Sequence, residues 1–100
     1  MPVDFRTASV SIPSGTGNRT FQSSVFFNST VIRANVALNG FKLDFTAGGD
    51  RHINEVEVDT NIRSFSGSLV TFDVRTQYAD VNFDDPYGGF VTALVIAEVQ

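Results

Sequence analysis

The sequence predicts an all-β domain: an antiparallel sandwich of six or seven strands. Three observations predict it. Apolar and polar residues alternate with a period of two along most of the chain, the pattern of strands with one face in a core and one in water. The apolar set is dominated by β-branched and aromatic residues, with ten Phe and no Trp. No stretch has apolar residues at i, i+3, i+4 and i+7 over helical length, and short runs separated by turn residues suit a sandwich or barrel.

The elements follow in order. Ala8, Val10 and Ile12 alternate with Thr7, Ser9 and Ser11, so a first strand runs from about Phe5 to Ile12. Pro13 to Asn18 is a turn cluster. Phe21, Val25 and Phe27 alternate with Thr20, Gln22 and Ser24 as a second strand, broken by Asn28-Ser29-Thr30. Ile32, Ala34, Val36 and Leu38 form the next apolar face. Asn39-Gly40 marks a tight turn or a bulge, and Phe41, Leu43 and Phe45 continue one face beyond it. Ala47 to Arg51 is a loop.

Val56, Val58 and Ile62 share a face against Glu55, Glu57 and Asp59, a strand with an acidic outer side. Ser64 to Ser68, with Gly67, is a turn. Val70, Phe72, Val74 and Tyr78 oppose Thr71, Asp73, Arg75 and Gln77. Asp80 to Gly89 is the longest polar loop, and Phe90 to Val99 is the final strand. No repeat or linker divides the chain, so residues 1–100 are read as one domain.

Composition narrows the function. Hydrophobic residues make up 42% of 100 residues, enough to exclude a disordered chain. Without Cys, there is no disulfide and no thiolate nucleophile or ligand. Seven Lys and Arg stand against eleven Asp and Glu, a net charge of −4. That argues against nucleic acid, whose binding releases counterions from phosphates by way of clustered cations. No run approaches the ~20 apolar residues of a membrane-spanning helix, so no membrane insertion is expected. Met1-Pro2-Val3-Asp4 has neither the basic region nor the apolar stretch of a signal peptide. Three routes stay open on this reading: the protein remains inside the cell, it leaves by lysis or particle assembly, or a cleaved leader precedes this sequence; an extracellular or particle-associated location is favoured among them.

The last strand is apolar on both faces. Phe90, Leu94 and Ile96 lie on one side, and Val91, Ala93, Val95, Ala97 and Val99 on the other. One side belongs in the core. A second apolar stripe in water is uncommon on a monomer, so the expectation is a homo-oligomer whose interface is the row Val91, Ala93, Val95, Ala97, Val99. The competing reading covers that strand with another part of the same chain.

The run Phe21 to Leu43, "FQSSVFFNSTVIRANVALNGFKL", resembles the opening of the H-type lectin domain: a Phe-containing strand, a break, then alternating aliphatics up to a short turn. Val56 to Asp80, "VEVDTNIRSFSGSLVTFDVRTQYAD", is similar to that family's central strand pair, and Phe90 to Val99, "FVTALVIAEV", to its terminal strand. Val95-Ile96 stands where the family often has Trp, and Asp59 where it often has Arg. The resemblance implies a six-stranded antiparallel sandwich, a trimer, and loops at one end that bind carbohydrate.

Two loops hold suitable chemistry. "ADVNFDDPYGG" carries Asp80, Asp84, Asp85 and Tyr87. Carboxylates accept hydrogen bonds from vicinal hydroxyls, and an aromatic face (Tyr87 or Phe83) stacks on the apolar side of a pyranose. Asp80, Asp84 and Asp85 also suit a hard cation such as Ca²⁺. Their spacing lacks the alternating ligands and distal Glu of an EF-hand, so a solvated turn is favoured and no cofactor is expected. Asp50-Arg51-His52-Ile53-Asn54 holds the only His. Arg51, His52 and Asn54 are donors for a saccharide, against the plainer reading of a weak surface ion pair. One His and no Gly-x-Ser-x-Gly elbow give little basis for catalysis. The sequence is therefore read as a non-catalytic, lectin-like oligomer, or alternatively as an assembly or adhesion subunit of a phage or other particle.

Overall fold

A computed structural model describes residues 2–46, 53, 55–79 and 85–100. It is all-β among these residues, with six antiparallel strands in two sheets. The strands are β1 (Val3–Gly15), β2 (Arg19–Phe26), β3 (Val31–Phe45), β4 (Glu55–Ser66), β5 (Leu69–Ala79) and β6 (Tyr87–Val99). The first sheet has the order β1-β6-β3 and the second β2-β5-β4. The chain crosses between sheets at every connection except the β4–β5 hairpin, where Gly67 takes φ 59°. That left-handed conformation costs glycine little.

Each sheet has its most buried strand in the middle. On β5, Val70, Phe72, Val74 and Thr76 are inaccessible to solvent, as are Val91, Ala93 and Val95 on β6. Edge strands flank them and add Val10, Ile12, Val36 and Leu43 to one continuous core. Fully burying one such side chain is worth about 1.5–3 kcal/mol. β3 runs beside β4 at one side of the molecule, and β1 beside β2 at the other. On that second side the inward positions carry charge. The Arg6 guanidinium sits 4.9 Å from the Phe27 ring centroid, and that of Arg19 lies 4.3 Å from the Tyr87 centroid. Inward-pointing charges on edge strands discourage pairing with another chain.

The structure extends several strands and shortens the turns between them. β1 runs on through Pro13 and Ser14 to Gly15, and β4 on to Ser66. Tyr87, Gly88 and Gly89 belong to β6 and not to the loop before it. Asn39-Gly40 is a bulge inside one long strand. Leu38 pairs with Ala93 and Gly40 with Thr92, leaving Asn39 as the extra residue. An extra residue inverts the parity of everything beyond it. Val36 and Leu38 therefore share one row with Phe41, Leu43 and Phe45; Val36, Leu43 and Phe45 are buried, and Leu38 and Phe41 beside the bulge stay exposed.

The row expected at an oligomer interface lies elsewhere. Val91, Ala93, Val95, Ala97 and Val99 all face the second sheet and are buried within one chain. They do so because β6 is a central strand whose odd positions share a register with Val10 of β1 and Val36 of β3. The side of β6 turned to solvent is the other one, with Phe90 and Ile96 exposed.

Candidate binding end of the sandwich

All six strands have a terminus at one end of the molecule. β1, β3 and β5 finish there, and β2, β4 and β6 begin there. Both long connections, 46–54 and 80–86, therefore leave from the same end. The opposite end holds the β2–β3 crossing and the β4–β5 hairpin, joined where Phe27 N and Val31 N donate to Ser68 O and Gly67 O, each at 2.8 Å.

The loop-bearing end is fastened at the bases of its connections. Thr46 N donates to Pro86 O at 2.9 Å, and Thr46 Oγ1 donates to the same oxygen at 3.2 Å. Ser14 Oγ lies 2.6 Å from Thr46 Oγ1. The residue after β3 is thus bonded to the residue before β6 and to the end of β1. Beneath them Phe45, Tyr78 and Tyr87 form an aromatic floor. Ring centroids are 4.6 Å apart for Phe45–Tyr78 and 6.2 Å for Tyr78–Tyr87.

Tyr87 ties the sheets together through its hydroxyl. Its Oη is 2.9 Å from Thr76 Oγ1 on β5 and donates to Gly17 O at 2.8 Å. Arg19 on β2 donates from Nη2 to Tyr87 O at 3.0 Å and from Nη1 to Pro13 O at 2.6 Å. The Arg19 plane over the Tyr87 ring adds a cation–π contact. A Tyr buried with its hydroxyl paired is a structural post. Replacing it as Tyr87→Phe leaves Thr76 and the Gly17 carbonyl short of a partner, at a cost of about 1–3 kcal/mol. A lower urea midpoint with unchanged slope is the expected reading, and an unchanged midpoint contradicts the assignment.

This burial corrects one expected sugar contact. Tyr87 has no accessible surface, so it has no free ring face on which a pyranose could stack. Asp85 is half-buried just before β6. Asp80, Asp84, Arg51, His52 and Asn54 lie outside the described residues. Among the described residues no three His, Cys, Asp or Glu side chains gather in a way that could hold a metal ion.

Thr76 and Arg19 were missed as partners of the site, though each left a signal. Thr76 is a polar residue on the inner row of β5, between Val74 and Tyr78. A polar residue on a core-facing row implies a buried hydrogen bond. Arg19 likewise shares a row with Phe21 and Val25 on β2.

Comparison with models of known protein families, with curated proteins and with solved structures finds no match to this chain.

Proposed function

We propose that this protein is an oligomeric, non-catalytic carbohydrate-binding module of H-type lectin character, with sugar held by the loops at one end. The observation that carries this reading is the convergence of connections 46–54 and 80–86 at a single fastened end. Those connections carry Arg51, His52 and Asn54 as donors and Asp80, Asp84 and Asp85 as acceptors. The three-plus-three arrangement of antiparallel strands agrees with what the sequence resemblance implies. With Tyr87 enclosed, Phe83 is the aromatic residue of the acidic loop left for stacking on sugar. Affinity per subunit is weak, and linked copies raise it through effective concentration. No metal takes part, so a chelator leaves the melting temperature unchanged. A drop on chelation would restore the Ca²⁺ reading.

Glycan-array binding by the intact protein is the test. Asp84→Ala and Arg51→Ala are each expected to weaken binding about tenfold or more, as loss of a charge-assisted hydrogen bond does. Their melting temperature should stay near that of the parent. Absence of binding to any glycan by the native oligomer overturns the reading.

A second reading, an assembly or adhesion subunit of a particle with no sugar site, draws on the apolar residues exposed on the first sheet. If the loop substitutions change no activity while substitutions on that face abolish assembly, the second reading holds.

A further inference from the structure

The two outer faces differ in chemistry. On the second sheet, Arg75 Nη2 lies 2.9 Å from Glu57 Oε1, and Arg63 Nε lies 3.1 Å from Asp73 Oδ1. Such a lattice of charge is an ordinary solvated face, on which Phe26 stands as a single exposed ring at the end of β2. The outer face of β1-β6-β3 is mostly uncharged. Val3 is 66% exposed and Phe5 64%, and Phe90 and Ile96 are exposed on the neighbouring strand. Its ionic groups are neutralised within the chain, Arg33 by Glu98 at 2.8 Å and Lys42 by Asp44 at 3.7 Å.

The shape of this face matters as much as its polarity. Phe5 pairs across the strands with Ile96. Ile96 and Val3 line a depression of about 370 Å³, walled by Arg33, Asn35 and Glu98. A projecting ring therefore stands directly beside a hollow large enough to receive one. A knob and a hole on the same surface are self-complementary, as a contact between identical subunits requires.

We propose that the outer face of the β1-β6-β3 sheet is the surface through which copies of this chain associate, Phe5 of one copy entering the depression beside Val3 and Ile96 of the next. The molecule measures 52 × 17 × 15 Å, which bounds this face at roughly 900 Å² in plan, so a contact of roughly 800 Å² per partner, as in a stable complex, would occupy nearly all of it. The chain carries −4 overall, yet this face brings no unpaired like charges together. A lipid surface is a poorer occupant, because anionic headgroups select clustered free cations, and Arg33 and Lys42 are each held by a carboxylate. The inference deepens the oligomeric part of the proposed function and is independent of the sugar site.

The test is the mass of the native chain by sedimentation, from low to high micromolar. A mass of two or more whole subunits of 10.9 kDa each is expected. Phe5→Asp should weaken association about 100-fold, the effect of losing a central aromatic anchor. Thr7→Arg, which replaces an exposed polar side chain on the same face, should act in the same direction without touching the core. Phe26→Asp, on the outer face of the second sheet, should leave the mass unchanged. Circular dichroism of each variant establishes that it is folded. A one-subunit mass throughout overturns the proposal, and so does a multiple mass that neither Phe5→Asp nor Thr7→Arg reduces. Glycan binding is scored separately. A native oligomer that binds no glycan, while Phe5→Asp dissociates it, sinks the sugar reading and leaves this one standing. A monomer that binds glycan does the reverse.

Discussion

Val95→Asp is expected to abolish folding, while Ile96→Asp, one residue further on, is expected to leave the fold intact. Val95 has no accessible surface and sits in the core between Arg6 of β1 and Val36 of β3. A carboxylate there must either be buried charged or take up a proton, and either costs several kcal/mol. Small domains have only about 5–15 kcal/mol in total. Ile96 points the other way and is already 38% exposed, so its loss costs about 1 kcal/mol within the subunit. Circular dichroism and urea unfolding distinguish the two. A natively folded Val95→Asp with a near-parental midpoint would show that the odd row of β6 is not the core row. The contrast also removes an ambiguity: loss of assembly in Val95→Asp says nothing about an interface, because the subunit itself is lost.

Gly89→Ala should be the most damaging glycine-to-alanine change among the described residues. Gly89 takes φ 150°, and a Cβ there would overlap the carbonyl oxygen of Lys42 on β3. The overlapped atom is backbone within a paired strand, so it cannot swing aside. The preceding Gly88 is similarly tight, its Cβ position lying 2.9 Å from Ile12 O on β1. Backbone strain of this kind costs about 1–3 kcal/mol before the clash is counted, so a loss of about 3 kcal/mol or more is expected. Gly17→Ala is the control. Its φ is also positive, at 81°, but nothing lies within 4 Å of its Cβ position. It should cost only the conformational part, about 1–2 kcal/mol. Equal costs for the two substitutions, by urea midpoint, would rule out the close approach of β6 to β3.

Much of the fold was legible in the alternation of side chains, and the exceptions are physical. The inner rows of β1, β2 and β5 follow directly from the period of two. The bulge at Asn39 could be read because apolar parity changes across it, from Val36 and Leu38 to Phe41 and Leu43. The bulge between Ile62 and Ser64 in β4 left a fainter trace: Phe65 alone carries the changed parity beyond it, inside a run from Ser64 to Ser68 that reads as a turn. Gly88-Gly89 reads as a turn until the neighbouring strands are known; its glycines serve close packing of backbones, a long-range property. The orientation of β6 was the hardest point. Both of its faces are apolar, and by bulk the Phe90, Leu94 and Ile96 face is the larger. The chain buries the smaller one, where Ala93 and Ala97 share the core with Phe27 and Phe72. Small residues facing large ones fill an interior at native density, and that fit depends on a sheet that is distant in sequence. Of the candidate site, the gathering of both long connections at one end depends on strand order, which alternation alone does not specify. The role of Tyr87 depends on Thr76 and Arg19, eleven and sixty-eight residues away.

The orientation of β6 underlies both the core and the associating face, and thiol labelling reads it directly. The chain has no Cys of its own, so Val95→Cys and Ile96→Cys each introduce a single reporter. In the native state the thiol at position 95 should react only as fast as the whole domain unfolds. The thiol at position 96 should react readily in dilute solution and more slowly as concentration rises and copies cover it. Rapid labelling at position 95 under native conditions, with protection at 96 independent of concentration, would contradict the account.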